Sequence, residues 1–73
     1  MGFFNSNLSD KNIIISKEGI VTEEINEVLG TGQIKVLGQT WKARPINNNE
    51  IIKKDSIVIV ENIVGVSAMV KTK

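Results

Sequence analysis

Hydrophobic and polar residues alternate with a period of two over much of this chain, which is the signature of strands with one face turned inward. Ile34 and Val36 alternate with Gln33 and Lys35, and Trp41 and Ala43 with Thr40, Lys42 and Arg44. The pattern predicts five strands: Gly19–Ile25, Gln33–Leu37, Thr40–Ile46, Ser56–Glu61 and Val66–Thr72. Turn residues separate them at Thr31-Gly32, Gly38-Gln39, Asn47-Asn48-Asn49 and Asn62–Gly65. Gly38 supplies the positive φ of a tight hairpin between the second and third strands. Pro45 has no N–H for a ladder, so the third strand ends there or runs along an edge. The link from Asn47 to Asp55 is too short and too rich in asparagine for more than about one helical turn.

Several short strands with close turns define an all-β fold, here a small five-stranded OB-like Greek-key barrel. The expected core is Ile20, Thr22, Ile34, Val36, Trp41, Ala43, Val58, Val60, Val66, Ala68 and Val70. Residues 1–16 read as a largely disordered or loosely attached, flexible N-terminal tail, and 17–73 as the barrel domain. The fourth strand is apolar on both faces, since Ile57 and Ile59 alternate with Val58 and Val60. A half-buried strand is normally polar outside. Either Ile13–Ile15 or Ile51-Ile52 covers the outward pair, or a partner does.

Length and composition narrow the function. The chain has 73 residues, no Cys and no His. It has room for one domain, no disulfide, no thiolate ligand, and neither the commonest general base nor the commonest zinc ligand. No cofactor or metal is expected. Histidine- or cysteine-based nucleophilic constellations are ruled out by composition. Glu23 and Glu24 point to opposite faces of a strand, so they cannot serve one reacting atom. Gly30-Thr31-Gly32 lacks the Lys-Ser/Thr of a phosphate loop. Ala68-Met69-Val70-Lys71 resembles the Ala-Met-Lys of biotin carrier domains, but Val70 follows Met69 where the carrier lysine must stand, so that reading fails. The expectation is a chain that is not an enzyme.

The formal charge is +1, from nine basic and eight acidic residues. A nucleic-acid binder normally carries a clear basic excess. Lys35, Lys42 and Arg44 share an outward parity on the second and third strands, which keeps single-strand nucleic-acid binding as the alternative function for an OB-type barrel. No apolar run approaches the roughly 20 residues that span a bilayer. Met1–Phe4 is too short for the apolar part of a leader and has no basic flank. A soluble, cytoplasmic, monomeric chain is expected, standing alone or cut from a longer protein.

The stretch Gly30-Thr31-Gly32-Gln33-Ile34-Lys35-Val36-Leu37-Gly38-Gln39-Thr40-Trp41-Lys42-Ala43-Arg44 goes beyond a generic hairpin. Gly32, Ile34, Val36, Gly38, Trp41, Ala43 and Arg44 together resemble the C-terminal soluble domain of NfeD-like proteins. Gly19-Ile20-Val21, Ile52–Val60 and Gly65–Val70 extend the resemblance over roughly residues 17–71. Asp55 stands where that family usually has Gly, and Ala68 where it usually has Leu. Asp tolerates the left-handed conformation, so the turn survives; Ala68 calls for filling from Ile63 or Met69.

The resemblance implies an OB-like barrel that binds a protein partner and catalyses nothing. Larger members carry it after transmembrane helices, sometimes behind a serine-protease domain, and are linked with stomatin- and flotillin-type membrane proteins. The protease does not carry over to this chain. Gly32, Gly38, Trp41 and Ala43 are then structural, with Ala43 leaving room for Trp41. The implied function is a protein-interaction module for a membrane-associated complex. Ile57, Ile59 and Met69, which share an outward parity, and Phe3 and Phe4 in the tail, are the partner-binding candidates.

Overall fold

A computed structural model describes residues 11–73. A short 3-10 helix, Lys11–Ile14, precedes five strands: β1 Glu18–Asn26, β2 Thr31–Val36, β3 Gln39–Pro45, β4 Ile57–Val64 and β5 Ser67–Thr72. They close into a barrel in the order β1-β2-β3-β5-β4. Only β3 and β5 pair in parallel, with Lys42 opposite Ser67 and Pro45 opposite Val70. The all-β five-stranded barrel expected from the alternation is present. Closure also removes the free sheet edges that invite unwanted pairing.

The core holds Ile14, Val21, Ile25, Ile34, Val36, Ala43, Ile52, Val58, Val60, Ala68 and Val70, with Ile15, Trp41 and Ile63 packed against it. The parity expected for β1 is reversed. Gly19 and Val21 face inward, while Ile20 and Thr22 face solvent. Gly19 accounts for this: a Cβ there would stand 2.6 Å from Val36 Cγ2, so β1 meets β2 more closely than a side chain permits. Ile25 shares the inward parity of Gly19 and Val21, because the two register shifts, between Val21 and Glu23 and between Glu23 and Asn26, together leave that parity unchanged. Val66 lies in the turn between β4 and β5 and is exposed, and Trp41 is half-buried.

The segments outside the strands behave differently from expectation. Residues 1–10 fall outside the described residues. Within 11–16, Ile14 is fully buried, and Ser16 N donates to Val60 O at 2.7 Å. This part is therefore packed on the barrel. Ile52 is also buried, bridged to Ile25 by paired backbone bonds of 2.8 and 3.0 Å. Ile14 and Ile52 thus fill the interior and do not cover the outer face of β4. The turn expected at Thr31-Gly32 lies instead at Glu27–Gly30, where Asn26 Oδ1 accepts from Leu29 N at 3.2 Å. β4 runs on through Val64, so its turn is Gly65-Val66. Asp55 has φ of 74°, the left-handed conformation that its place in the turn demands. Ile63 lies opposite Ala68 and supplies the missing bulk, whereas Met69 points outward.

Candidate functional site

Two surfaces carry the site candidates singled out by the sequence, and the fold adds a third. The first is the wall formed by β1, β4 and β5. Ile57 lies opposite Ile20, and the two are 42% and 38% exposed. Ile59 lies between Glu18 on β1 and Lys71 on β5 and is half-buried. An ion pair of 2.7 Å joins Lys73 to Glu18, tying β5 to β1 across β4, and Lys71 pairs with Glu61 at 2.9 Å. Charged heads with long aliphatic stems therefore flank Ile59. Met69 is half-buried opposite Asn62 and Arg44, beyond the register shift between Val60 and Asn62. The structure brings Ile57 to Ile20 and leaves Met69 further along. Phe3 and Phe4 lie outside the described residues.

The second surface is the outer face of β2 and β3, with the strand-start Ser67. It holds an open depression of about 260 Å³ lined by Glu27, Gly30, Thr31, Lys42, Ala43, Arg44 and Ser67. Glu27 organises it. Its Oε2 accepts from Arg44 Nε at 3.2 Å and Nη2 at 2.8 Å, and its Oε1 from Asn49 N at 3.2 Å. The Arg44 hydrogen bond, and after it the bond from Asn49, hold the Glu27 carboxyl below the ordinary carboxylate range. Arg44 is thereby committed to an internal ion pair, and Lys35 and Lys42 form none among the described residues. Two separate lysines without a stacking aromatic make a poor track for a nucleic-acid strand.

The third surface was not legible as a site in the sequence. Because β3 and β5 run parallel, the β2–β3 and β4–β5 hairpins turn at the same end of the barrel. Leu37 (61% exposed) tips the first hairpin, and Val64 (54%) and Val66 (68%) tip the second. Near this end, the half-buried Trp41 on β3 and Ile63 on β4 pack on the core. The Trp41 Nε1–H is shielded from solvent and has no acceptor among the described residues. Leu37 has φ of 52° and Gly38 of 79°, as a type I′ two-residue loop requires. Asn or Gly is the usual first residue of that loop; a leucine there carries backbone strain.

Among the described residues no group of three or more His, Cys, Asp and Glu side chains is placed to hold a metal. No helix among them is long and apolar enough to cross a membrane.

Residues 11–71 match the model of the NfeD-like C-terminal, partner-binding domain. Similar solved structures include the following two. One is the C-terminal domain of a stomatin operon partner protein from Pyrococcus horikoshii, with 35% identity and a TM-score of 0.75, covering 89% of this chain and 95% of that one. The other is the soluble domain of a membrane protein implicated in regulation of membrane protease activity, from Corynebacterium glutamicum, with 25% identity and a TM-score of 0.74, covering 85% of this chain and 97% of that one. No curated protein sequence matches. The matched hairpin with Gly32, Gly38, Trp41 and Ala43, the closed five-stranded barrel and the two structural likenesses agree: this chain belongs to the NfeD-like family, as its C-terminal, partner-binding domain.

Proposed function

We propose that this domain is a non-catalytic docking module whose partner is a stomatin-type membrane protein. The observation that carries the reading is the likeness over nearly the whole barrel to a domain of a stomatin operon partner protein. The chemistry is consistent with it. The Glu27–Arg44 pair is bonded so as to hold a loop, with Asn49 N donating to the same carboxylate. Exposed apolar side chains, the raw material of protein interfaces, stand at the hairpin end and on the β1–β4 wall. The domain works beside a membrane, on the cytoplasmic side, held there by its partner or by a parent chain, and is a monomer when free.

The test is calorimetric titration of the purified chain into a recombinant stomatin-type protein in detergent micelles, with empty micelles as the control. Saturable binding to the protein alone is expected. Absence of binding, or equal heats from empty micelles, overturns the reading.

A further inference from the structure

We infer that the hairpin end of the barrel, with Leu37, Val64 and Val66 around Trp41, is the surface that receives the partner, and that it takes an uncharged, apolar segment of a protein. The inference rests on the partner-binding reading and names the surface for it.

Three observations converge on this end. The first is charge. In a chain where 23% of residues are charged, neither Val36–Trp41 nor Asn62–Val70 contains a single Asp, Glu, Lys or Arg. The opposite end also exposes apolar side chains, Val28, Leu29, Ile46 and Ile51, but intersperses them with Glu27, Glu50, Lys53, Lys54 and Asp55. The wall around Ile57 is likewise crossed by the Lys73–Glu18 pair. Among the described residues, only the hairpin end presents apolar side chains from two loops with no charge in either; the charges beside them, Lys35 and Glu18, stand on β2 and at the start of β1.

The second is the backbone of Leu37. A left-handed leucine at a hairpin tip, with its side chain mostly in solvent, serves neither the turn nor the core. Asn would relieve the strain and Gly would remove it. A residue that costs the fold and contributes nothing to it points to a contact made elsewhere. The third is Trp41, which stands near the start of β3 at this end, packs half-buried on the core, and has an N–H without an acceptor among the described residues. A ring in that position senses what sits above it.

The same features select the occupant. Loops that dip into a lipid surface combine apolar tips with lysine or arginine for the anionic headgroups. These tips have none, so the electrostatic half of membrane attachment is missing. A charged peptide would lose hydration against these apolar tips and find no charged partner within either loop. An apolar protein segment loses nothing by desolvation.

The experiment uses the full chain with its only tryptophan labelled as 5-fluorotryptophan, so that Trp41 gives one 19F resonance. The probes are the recombinant stomatin-type protein in micelles and phosphatidylcholine vesicles. Binding of the protein is expected to shift the Trp41 resonance, and vesicles are expected to leave it in place. Leu37→Asn, which suits the left-handed turn, is expected to keep the fold and weaken binding by about tenfold or more. Val66→Ser should act in the same direction, and Ile57→Lys on the wall should not. Binding that survives Leu37→Asn and Val66→Ser overturns the surface while leaving the functional reading intact. Loss of binding in Ile57→Lys with an intact barrel transfers the site to the wall and overturns it too. A Trp41 shift with vesicles makes the occupant lipid, and a shift caused by Phe3→Ser/Phe4→Ser without any probe makes it the chain's own N-terminal segment; either overturns the inference. No binding by the unaltered chain overturns the functional reading first and this inference with it.

Discussion

A Cβ built on Gly32 would stand 2.5 Å from the carbonyl oxygen of Ala43 on the neighbouring strand. Gly32 also has φ of 148°, a conformation L-residues rarely adopt, and its N–H donates to Glu23 Oε1 at 3.1 Å. It therefore sits inside β2 at the point where the β1 bulge presses two strands together. The oxygen is backbone and cannot swing aside. Gly32→Ala is expected to cost about 3–5 kcal/mol, adding strained backbone to overpacking. A single core of this size supplies only about 3–5 kcal/mol in total. Urea denaturation and the dispersion of the amide spectrum check it: a variant that stays cooperatively folded with near-wild-type stability contradicts the close approach.

Ile14 is as deeply buried as any side chain in the barrel, although it precedes β1. Ser16 N and Lys17 O bond to the Val60 amide group at 2.7 and 3.0 Å, which holds the preceding residues over the interior. Ile14→Ala is expected to destabilise the barrel by about 2–4 kcal/mol, like a core isoleucine in a strand. Ile13→Ala, on the exposed neighbour, should cost well under 1 kcal/mol. Thermal unfolding of the two variants side by side decides the matter, and equal melting temperatures would remove Ile14 from the folding unit.

These two residues mark how far the sequence was readable. Alternation located all five strands and the inward parity of β2 through β5, because a half-buried strand writes its burial directly into a period of two. β1 was misread because Ile20 and Val21 are both apolar, and the residue that decides between them, Gly19, has no hydrophobic signal of its own. The pattern offers Ile13–Ile15 and Ile51-Ile52 only as candidate outer cover, because nothing local distinguishes an isoleucine that plugs a barrel from one that lies on it. The hairpin motif around Gly38, Trp41 and Ala43 made the family legible. The hairpin end was not legible as a surface: Leu37, Val64 and Val66 are far apart in sequence or sit in turns, and only the parallel β3–β5 pairing brings their loops to one end.

The hairpin end also makes a prediction about stability alone. Type I′ loops favour Asn at the position Leu37 holds, with φ of 52°. Leu37→Asn is expected to raise stability by about 0.5–1 kcal/mol, since it relieves strain and removes exposed apolar surface without opening the core. Differential scanning calorimetry should show a higher melting temperature. A lower one would mean that the leucine side chain supports the barrel after all.

Glu27 joins three segments: its own turn after β1, Arg44 on β3, and Asn49 in the β3–β4 link. Its carboxyl is held below its unfolded value, chiefly by the Arg44 hydrogen bond. A group with a depressed folded pKa contributes stability that is fully present above the unfolded value and is lost as pH falls through the folded one. The barrel should therefore weaken on the acid side of the ordinary carboxylate range, and Glu27→Gln should flatten part of that slope, being less stable than the unaltered chain at neutral and alkaline pH and converging with it in acid. Denaturation midpoints of both proteins across an acid series test this. An unchanged slope in Glu27→Gln would show that other carboxylates carry the acid sensitivity.

The same ion pair bears on the nucleic-acid alternative, because it removes Arg44 from the outer face of β2 and β3 as a free cation. A phosphate approaching Arg44 must displace a carboxylate bonded at 2.8 and 3.2 Å. Lys35 and Lys42 remain, and two phosphate contacts supply little affinity at physiological salt. Titration with single-stranded oligonucleotides is expected to leave the amides of Lys35, Lys42 and Arg44 unshifted. Glu27→Gln sharpens the test: it uncovers the guanidinium, so any affinity that appears in this variant and falls steeply with salt is created by the substitution. Micromolar, salt-sensitive binding by the unaltered chain would restore strand binding as the function of this face, since it would require the Glu27–Arg44 pair to open for a ligand.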